Sequence, residues 1–260
     1  MSATAPVRAI GASTLDLVSG LGRFTLFVLA VLDAGRRPPL RLRRLVGEIY
    51  DAGVLSLLIV CVSGFAVGMV LGLQGYNTLS RFGAEESLGA VVGLSLIREL
   101  GPVLTSLLVA GRAGSAMAAE IAAMVVTEQL DGLRMMSVEP LDFVVAPKAF
   151  AMVLAMPLLS SLFVVFGIFG GWIVGVAVLG GDSGAYLTTL EQSVAFWEDV
   201  FGGILKGVVF GVLVGFIATY RGFTARPTTA GVSAAATSTV VIASVATLIF
   251  DYFITALWGY

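Results

Sequence analysis

Two adjacent charges, Arg98 and Glu99, stand near the start of a largely apolar segment, residues 92–124. Charges at the edge of hydrocarbon are costly and are usually retained for binding or for pairing. Neighbouring residues point about 100° apart on a helix, so these two side chains cannot simply bond to each other. Two interpretations follow. Either the pair anchors the helix at a membrane interface, or Arg98 binds a ligand phosphate while Glu99 orients the ligand or gates its access.

Two further charges lie along the same segment. Arg112 falls about halfway along it, inside the small-residue run 110–116, and Glu120 follows about two turns later. An arginine at that depth should face the interior of a helix bundle, which makes Glu120 its candidate partner, directly or through water. We favour a structural role for both. The run lacks the Gly-x4-Gly-Lys-Ser/Thr spacing of a phosphate-binding loop, as does the rest of the sequence. Any ATP must therefore be bound by another chain.

Composition indicates an integral membrane protein. The 260 residues are 58% hydrophobic and 12% charged, whereas soluble domains have about 25% charged residues. There is no histidine, and the single cysteine, Cys61, lies in an apolar run. These facts argue against internal disulfides, Cys/His metal sites and histidine acid–base chemistry. We expect no metal and no cofactor in this chain. The net charge of −2 gives no indication of nucleic-acid binding.

Five segments are long and apolar enough to cross a bilayer, which needs about 20 residues. Residues 52–80, 149–181 and 227–250 carry no charge, and two other segments are interrupted only by isolated charges. The predicted fold is all-α, with membrane spans at about 52–77, 92–124, 149–178, 200–220 and 236–258. We expect Lys206 to extend from the fourth span towards the headgroups, and Asp251 to contact a neighbouring helix.

Residues 1–48 are predicted to form a separate interfacial unit ahead of the membrane domain, 49–260. The apolar stretch 24–32 is too short to span, and upstream apolar residues recur at helical spacing with charges between them. This pattern predicts an amphipathic helix in the interface, followed by a basic turn at 36–44. A signal peptide is not expected, because the basic cluster follows the apolar run instead of preceding it.

Basic residues predict the orientation. Seven arginines precede Asp51, and two basic residues lie in each of the segments 127–148 and 221–235, whereas 179–199 has none. By the positive-inside rule, the N-terminus and the segments 127–148 and 221–235 are cytoplasmic. The C-terminus then lies on the outer side of the membrane.

The polar segment between the second and third spans combines acids with apolar residues. The acids are Glu128, Asp131, Glu139 and Asp142, and the apolar residues are Leu130, Leu133, Met135 and Met136. A solvated loop needs no apolar side. A short amphipathic helix that docks into a partner's groove uses its apolar side for that contact. We therefore predict a docking helix over about 127–140.

The end of the first span is a second candidate surface. Gln74, Tyr76 and Asn77 follow a glycine series at 64, 68, 72 and 75. Such a series is compatible with close helix packing. It is equally compatible with a cavity wall on which Leu71 and Leu73 contact acyl chains, and the sequence leaves both open.

Taken together, these segments resemble the MlaE permease family. The matching runs, in order, are Gly75-Tyr76, 96–103, 110–116, 127–130, Met-Met-x-Val-Glu-Pro at 135–140 and Pro-Thr-x2-Gly-x-Ser at 227–233. The resemblance extends from about residue 50 to residue 260, and the N-terminal segment matches only in character.

The resemblance implies the permease subunit of a bacterial Mla phospholipid ABC transporter, which maintains lipid asymmetry of the outer membrane. It implies a homodimer in the inner membrane of a Gram-negative bacterium. The implied partners are a cytoplasmic ATPase like MlaF, which binds ATP and Mg, a STAS-domain protein like MlaB and a periplasmic MCE-domain hexamer like MlaD. Glycerophospholipid would move through a cavity between the two permease subunits.

The resemblance also implies residue roles. Arg98 and Glu99 match the family's charged pair at the lipid cavity. We expect the lipid site to consist of Arg98, Glu99, Gln74, Tyr76, Leu71 and Leu73. We expect the ATPase-coupling residues to be Glu128, Gln129, Asp131, Arg134 and Met135. Residues 131–134 are more charged than the serine-rich version expected in enterobacterial relatives.

Three other functions remain open. A stand-alone ion-coupled carrier would need no ATPase, and a related permease could carry another hydrophobic molecule such as a sterol. An intramembrane lipid-modifying enzyme would need a nucleophile or a metal cluster, for which this sequence offers little.

Overall fold

The computed structural model describes residues 5–36 and 42–258, with backbone alone at 5–14, 16, 17 and 258. In these ranges the chain is helical and contains no strand. The α-helices are α1 (Ala5–Ala34), α2 (Leu42–Ala52), α3 (Leu57–Leu79), α4 (Leu88–Ser95), α5 (Gly101–Val109), α6 (Ser115–Val126), α7 (Gln129–Met135), α8 (Ala146–Trp172), α9 (Ser183–Ser193), α10 (Phe201–Phe223) and α11 (Thr229–Trp258).

Five helical stretches of the described chain are long and apolar enough to cross a membrane, as predicted. They are Leu42–Phe82, Glu85–Val126, Leu141–Val178, Phe196–Phe223 and Thr229–Leu257. Each begins before the predicted position, because backbone hydrogen bonding continues into polar residues where hydropathy gives no signal. The boundary expected between residues 48 and 49 falls inside α2.

Several spans contain π-helical turns, at Leu96–Leu100, Ala110–Gly114, Leu141–Val145, Ile173–Val178 and Phe196–Val200. A π turn adds a residue to the helical turn and changes the direction of the side chains, and it is frequent at functional sites. Arg98, Glu99, Arg112 and Asp199 all lie in such turns.

Helix α8 lies at the centre of the bundle, between α3 and α10. Gly64, Gly68 and Gly72 of α3 lie against the α8 backbone around Gly167, and a Cβ on Gly68 would overlap the Gly167 carbonyl oxygen. The glycine series at 64, 68 and 72 is therefore a helix contact. On the other side, glycines of α10 lie against α8 in the same way near Pro157. Small residues allow this close approach of membrane helices.

The predicted N-terminal helix is present as α1, a single helix of 30 residues. Phe24 and Phe27 each lie with their ring centroids 5.3 Å from that of Tyr220 on α10, and Val31 is buried with Val145. The remaining face exposes Leu15, Val18, Leu21, Leu26 and Leu29. An apolar exposed face suits an interfacial position, which stays a prediction. Residues 37–41 of the basic turn lie outside the described residues.

Helix α9 was not predicted. Asp182 caps its first turn by accepting a hydrogen bond from the Ala185 N–H at 2.7 Å. Tyr186 is buried against α4, and its hydroxyl donates to the Ile168 carbonyl at 3.1 Å. Burial raises the pKa of this phenol above its ordinary value. An aspartate often caps the N-terminus of a helix, so Asp182 was the sequence signal from which α9 could have been predicted.

We expect Gly68→Ala to destabilise the chain by about 1–3 kcal/mol, because the added methyl group forces α3 and α8 apart. Gly111→Ala is the matched control, since a Cβ there meets nothing within 4 Å. Thermal unfolding in detergent, followed by size-exclusion chromatography, measures both. Equal midpoints for the two variants would contradict the proposed close contact.

Candidate functional site

Arg98 is paired with an acid from the fourth span. Its Nε lies 2.5 Å from Asp199 Oδ1; the arginine side chain is 31% exposed and the aspartate fully buried. The second oxygen of Asp199 accepts a hydrogen bond from the Ala195 N–H at 2.7 Å. The carboxylate is thus held by its own segment and presented to Arg98.

Glu99 points elsewhere and meets Lys206. The Lys206 Nζ lies 2.9 Å from Glu99 Oε2 and 3.1 Å from Asp251 Oδ1. It also donates to the Arg98 carbonyl and to Thr255 Oγ1, each at 2.8 Å. An ammonium group has three protons, so Asp251, the farthest of the four acceptors, is held mainly by charge. The Thr255 hydroxyl donates to Glu99 Oε1 at 3.0 Å.

The prediction for Lys206 is wrong. Its side chain is only 1% exposed, so it does not extend to the headgroups. Two carboxylates from other spans replace the water that an exposed ammonium would keep. The sequence signal available for this burial was the position of Lys206, two helical turns after Asp199 on the same span. The helix contact expected of Asp251 is confirmed, as is the separation of Arg98 from Glu99.

These residues form one charge cluster, which comprises Arg98, Glu99, Asp199, Lys206, Asp251 and Thr255. It joins the second, fourth and fifth spans. With every group ionised, three carboxylates outnumber two cations. An anionic ligand would therefore have to compete with Asp199 for Arg98.

An apolar groove of about 260 Å³ lies between the end of α3 and α4. Its walls include Leu71, Gln74, Val91 and Ser95. Ser95 lies one turn before the charged pair on the second span, so the groove and the charge cluster share that span. Leu71 and Gln74, both expected in the lipid site, lie together in the wall of this groove.

Leu73 and Tyr76 do not line this groove. Leu73 is exposed on the surface of α3. Tyr76 lines a separate small cavity of about 50 Å³ with Asp182 and Tyr186. Residues two positions apart face different sides of a helix, so the six residues expected to bind lipid do not form one continuous surface within this chain.

Arg112 and Glu120 do not pair with each other. Arg112 donates to the Asp51 carbonyl and, at 3.2 Å, to Ser56 Oγ, while Glu120 lies 2.7 Å from Lys148 Nζ. Both charges therefore connect the second span to other helices, although their partners were not those expected.

Helix α7 occupies the predicted position but spans only Gln129–Met135, shorter than 127–140. It lies between two residues with positive φ, Glu128 at 56° and Ser137 at 59°. Such residues change the chain direction abruptly, and these two delimit the helix.

The predicted apolar side of α7 is divided between two faces. Leu130 is buried and Leu133 packs against the core, whereas Met135 is 85% exposed and Met136 is also exposed. Glu128, Gln129, Asp131 and Arg134 are exposed too, and Asp131 pairs with Arg134 at 2.9 Å. The leucines attach the helix to the bundle, so the methionines and charges form its free surface.

Five spans of the described chain, three of them joined by a partly buried charge cluster, and a surface helix between the second and third spans define a multi-pass helical membrane protein. Comparison with known proteins identifies the family. The model of the family "Permease MlaE" matches residues 45–257, so the chain belongs to the MlaE permease family.

Similar proteins share most of the chain's length. The "Intermembrane phospholipid transport system permease protein MlaE" of Haemophilus influenzae is 46% identical over 251 residues, 96% of each chain. A "Probable ABC transporter permease protein" of Rickettsia bellii is 42% identical, again over 96% of each. The chloroplastic protein TRIGALACTOSYLDIACYLGLYCEROL 1 of Arabidopsis thaliana is 32% identical over 81% of this chain and 60% of its own.

We expect Lys206→Met to destabilise the chain by about 1–3 kcal/mol, because Asp251 and the 39%-exposed Glu99 would lose their shared counter-charge. The control is Arg134→Met, which breaks the exposed Asp131 pair and should cost less than about 1 kcal/mol. Thermal unfolding in detergent measures the difference. The triple variant with Glu99→Gln and Asp251→Asn should recover part of the loss, and no recovery would contradict a charge effect.

Proposed function

We propose that this chain is the permease subunit of an ATP-driven phospholipid transporter in the inner membrane of a Gram-negative bacterium. Its action would maintain the lipid asymmetry of the outer membrane. The observation that carries the proposal is the similarity to the Haemophilus influenzae phospholipid permease over nearly the full length of both chains. The charge cluster and the apolar groove support it, since a phospholipid offers a phosphate to one and acyl chains to the other.

The proposed assembly is a homodimer with a cytoplasmic ATPase that binds ATP and Mg. It also includes a STAS-domain protein and a periplasmic MCE-domain hexamer. The sequence has no phosphate-binding loop motif, which leaves ATP to a partner. One face of the fifth span is uncovered by the rest of the chain, with Val241, Val245 and Leu248 exposed. This surface supports contact with lipid or with a second copy. In the proposed orientation the N-terminus is cytoplasmic and the C-terminus is periplasmic.

Lipid binding is proposed to proceed by exchange of ion pairs. Arg98 is partly exposed and is held by Asp199 at 2.5 Å. A lipid phosphate that reaches Arg98 takes over this guanidinium, because both anions fit its forked donors. Asp199 keeps its backbone partner at Ala195 and recovers Arg98 when the lipid leaves. Glu99 is paired with Lys206, and its negative charge keeps the lipid phosphate away from that lysine. The acyl chains occupy the groove at Leu71 and Gln74.

Coupling is proposed to pass through α7. The ATPase contacts its free surface at Glu128, Gln129, Asp131, Arg134 and Met135. Leu130 and Leu133 fix α7 to the bundle, so a displacement by the ATPase reaches the second and third spans. The second span carries both Arg98 and a wall of the groove, which links ATP hydrolysis to the lipid site.

The first experiment is native mass spectrometry of the chain purified with its co-expressed neighbours. A dimer that carries two ATPase chains and phospholipid supports the proposal. A monomer with neither lipid nor ATPase contradicts it and favours a stand-alone carrier.

We expect Arg98→Ala, made together with Asp199→Asn so that no buried carboxylate loses its counter-charge, to leave complex assembly intact and to lower phospholipid transfer about tenfold, the effect of losing one charge-assisted hydrogen bond. Glu99→Ala should also reduce transfer. Detergent resistance of cells and transfer between vesicles measure both. Arg81→Ala is the control, since Arg81 is exposed near the same end of the spans. Wild-type transfer in both Arg98 and Glu99 variants would remove these residues from the lipid site.

We expect Glu128→Lys to weaken ATPase association about tenfold, because an acidic docking surface implies a basic groove on the partner. Co-purification of the two chains measures the retained ATPase. The matched control is Glu191→Lys on α9, an exposed carboxylate at the opposite end of the spans. Equal retention in both variants would argue against α7 as the docking surface.

A further inference from the structure

Lys148 is buried in the first turn of α8 and holds carboxylates from two other helices. Its Nζ lies 2.8 Å from Glu48 Oε2 on α2 and 2.7 Å from Glu120 Oε2 on α6. The lysine side chain is only 4% exposed, so its charge depends on these two partners. We call this arrangement of Lys148, Glu48 and Glu120 the lysine bridge. The proposed lipid and ATPase sites do not include it.

The lysine bridge lies next to α7 on both sides. Glu120 is less than two turns before the end of α6 at Val126, and α7 follows at Gln129. Lys148 lies just after α8 begins at Ala146. The ion pair of Glu120 with Lys148 therefore joins α6, which precedes α7 in the chain, to α8, which follows it.

Helix α2 is attached to the same two helical segments by further contacts. The Arg44 guanidinium lies 4.0 Å from the ring centroid of Phe143, in the π turn before α8. The carbonyl of Asp51, near the other end of α2, accepts a hydrogen bond from Arg112 on the second span. Contacts along its length thus connect α2 to both flanks of α7.

Packing alone does not hold the Glu120 side of the bridge. A cavity of about 140 Å³ lies where α2, α8 and the second span meet. Its lining includes Glu48, Asp51, Arg112, Glu120 and Lys148. Glu120 is 52% exposed beside it. The glycine contacts between α3 and α8 allow no such space. An ion pair across a cavity keeps two helices connected while one of them tilts, which close backbone packing does not permit.

We propose that Lys148 is a positioning residue for energy coupling: its two ion pairs make α2, α6 and α8 move together when α7 is displaced. The inference rests on the proposed function, because it requires an ATPase that moves α7. Without the bridge, a displacement of α7 would bend α6 at the cavity and would not reach the lipid site. ATP would then be hydrolysed with little lipid moved.

The test uses the complete complex, co-expressed and reconstituted with ATP. Donor vesicles of phosphatidylethanolamine and phosphatidylglycerol carry a fluorescent phosphatidylethanolamine, and its ATP-dependent transfer to acceptor vesicles is measured together with phosphate release. For Lys148→Met we expect ATPase association and hydrolysis near wild type, with lipid transferred per ATP lowered about tenfold, a typical coupling effect between sites. Lys148→Arg, which keeps the charge, should restore most of that ratio.

A second variant covers the case in which Lys148→Met does not fold. Glu120→Gln removes one ion pair from a side chain that water already reaches, and it should also lower the ratio of lipid to ATP. Glu191→Gln on α9 is the control and should leave the ratio unchanged. An unchanged ratio in the folded Lys148 or Glu120 variants overturns the inference alone. A wild-type complex without ATP-dependent transfer overturns the proposed function, and the inference with it.

Discussion

The fold depends on one constraint: a charge removed from water in the membrane must find its partner inside the protein. The chain has only two lysines, and both are buried, each between two carboxylates from other helices. Lys206 joins the fourth span to the second and the fifth. Lys148 joins the third span to the second and to α2. The second span contributes Glu99 to one lysine and Glu120 to the other, so it is tied near both of its ends by charge.

The glycine contacts act differently from these ion pairs. The backbones of α3 and α10 approach α8 where glycine leaves no side chain between them, and such contacts fix the distance between helices. Ion pairs beside a cavity or a groove tolerate a change of angle. The bundle therefore combines close backbone contacts between the first, third and fourth spans with a second span that adds ion pairs to its apolar packing, since Val92, Leu96 and Ile121 of that span are buried in the core. This span also carries the charged pair and leads into α7, so it connects the proposed lipid site to the proposed ATPase surface.

The charge cluster also limits how a lipid can bind. Arg98 already has a carboxylate partner in Asp199, and Asp199 is fixed by a backbone N–H. A site that offered a free arginine would hold a phosphate tightly and release it slowly. An arginine shared with a built-in competitor binds more weakly, and a transporter needs both binding and release. The same acid prevents an unpaired cation from remaining in the site when lipid is absent.

The sequence by itself determined the class of protein, the five spans, the N-terminal helix and the position of α7. These follow from hydropathy and local periodicity, which depend on neighbouring residues alone. It also singled out Arg98 and Glu99, since charges in apolar segments are rare. Only the tertiary structure decided the partners of those charges: Asp199 for Arg98, Lys206 for Glu99 and Lys148 for Glu120. The reason is that ion pairs between helices join residues 28 to 107 positions apart, and their geometry depends on how π turns and glycine contacts orient whole helices. The same long-range packing buried Leu130 and left Met135 and Met136 exposed.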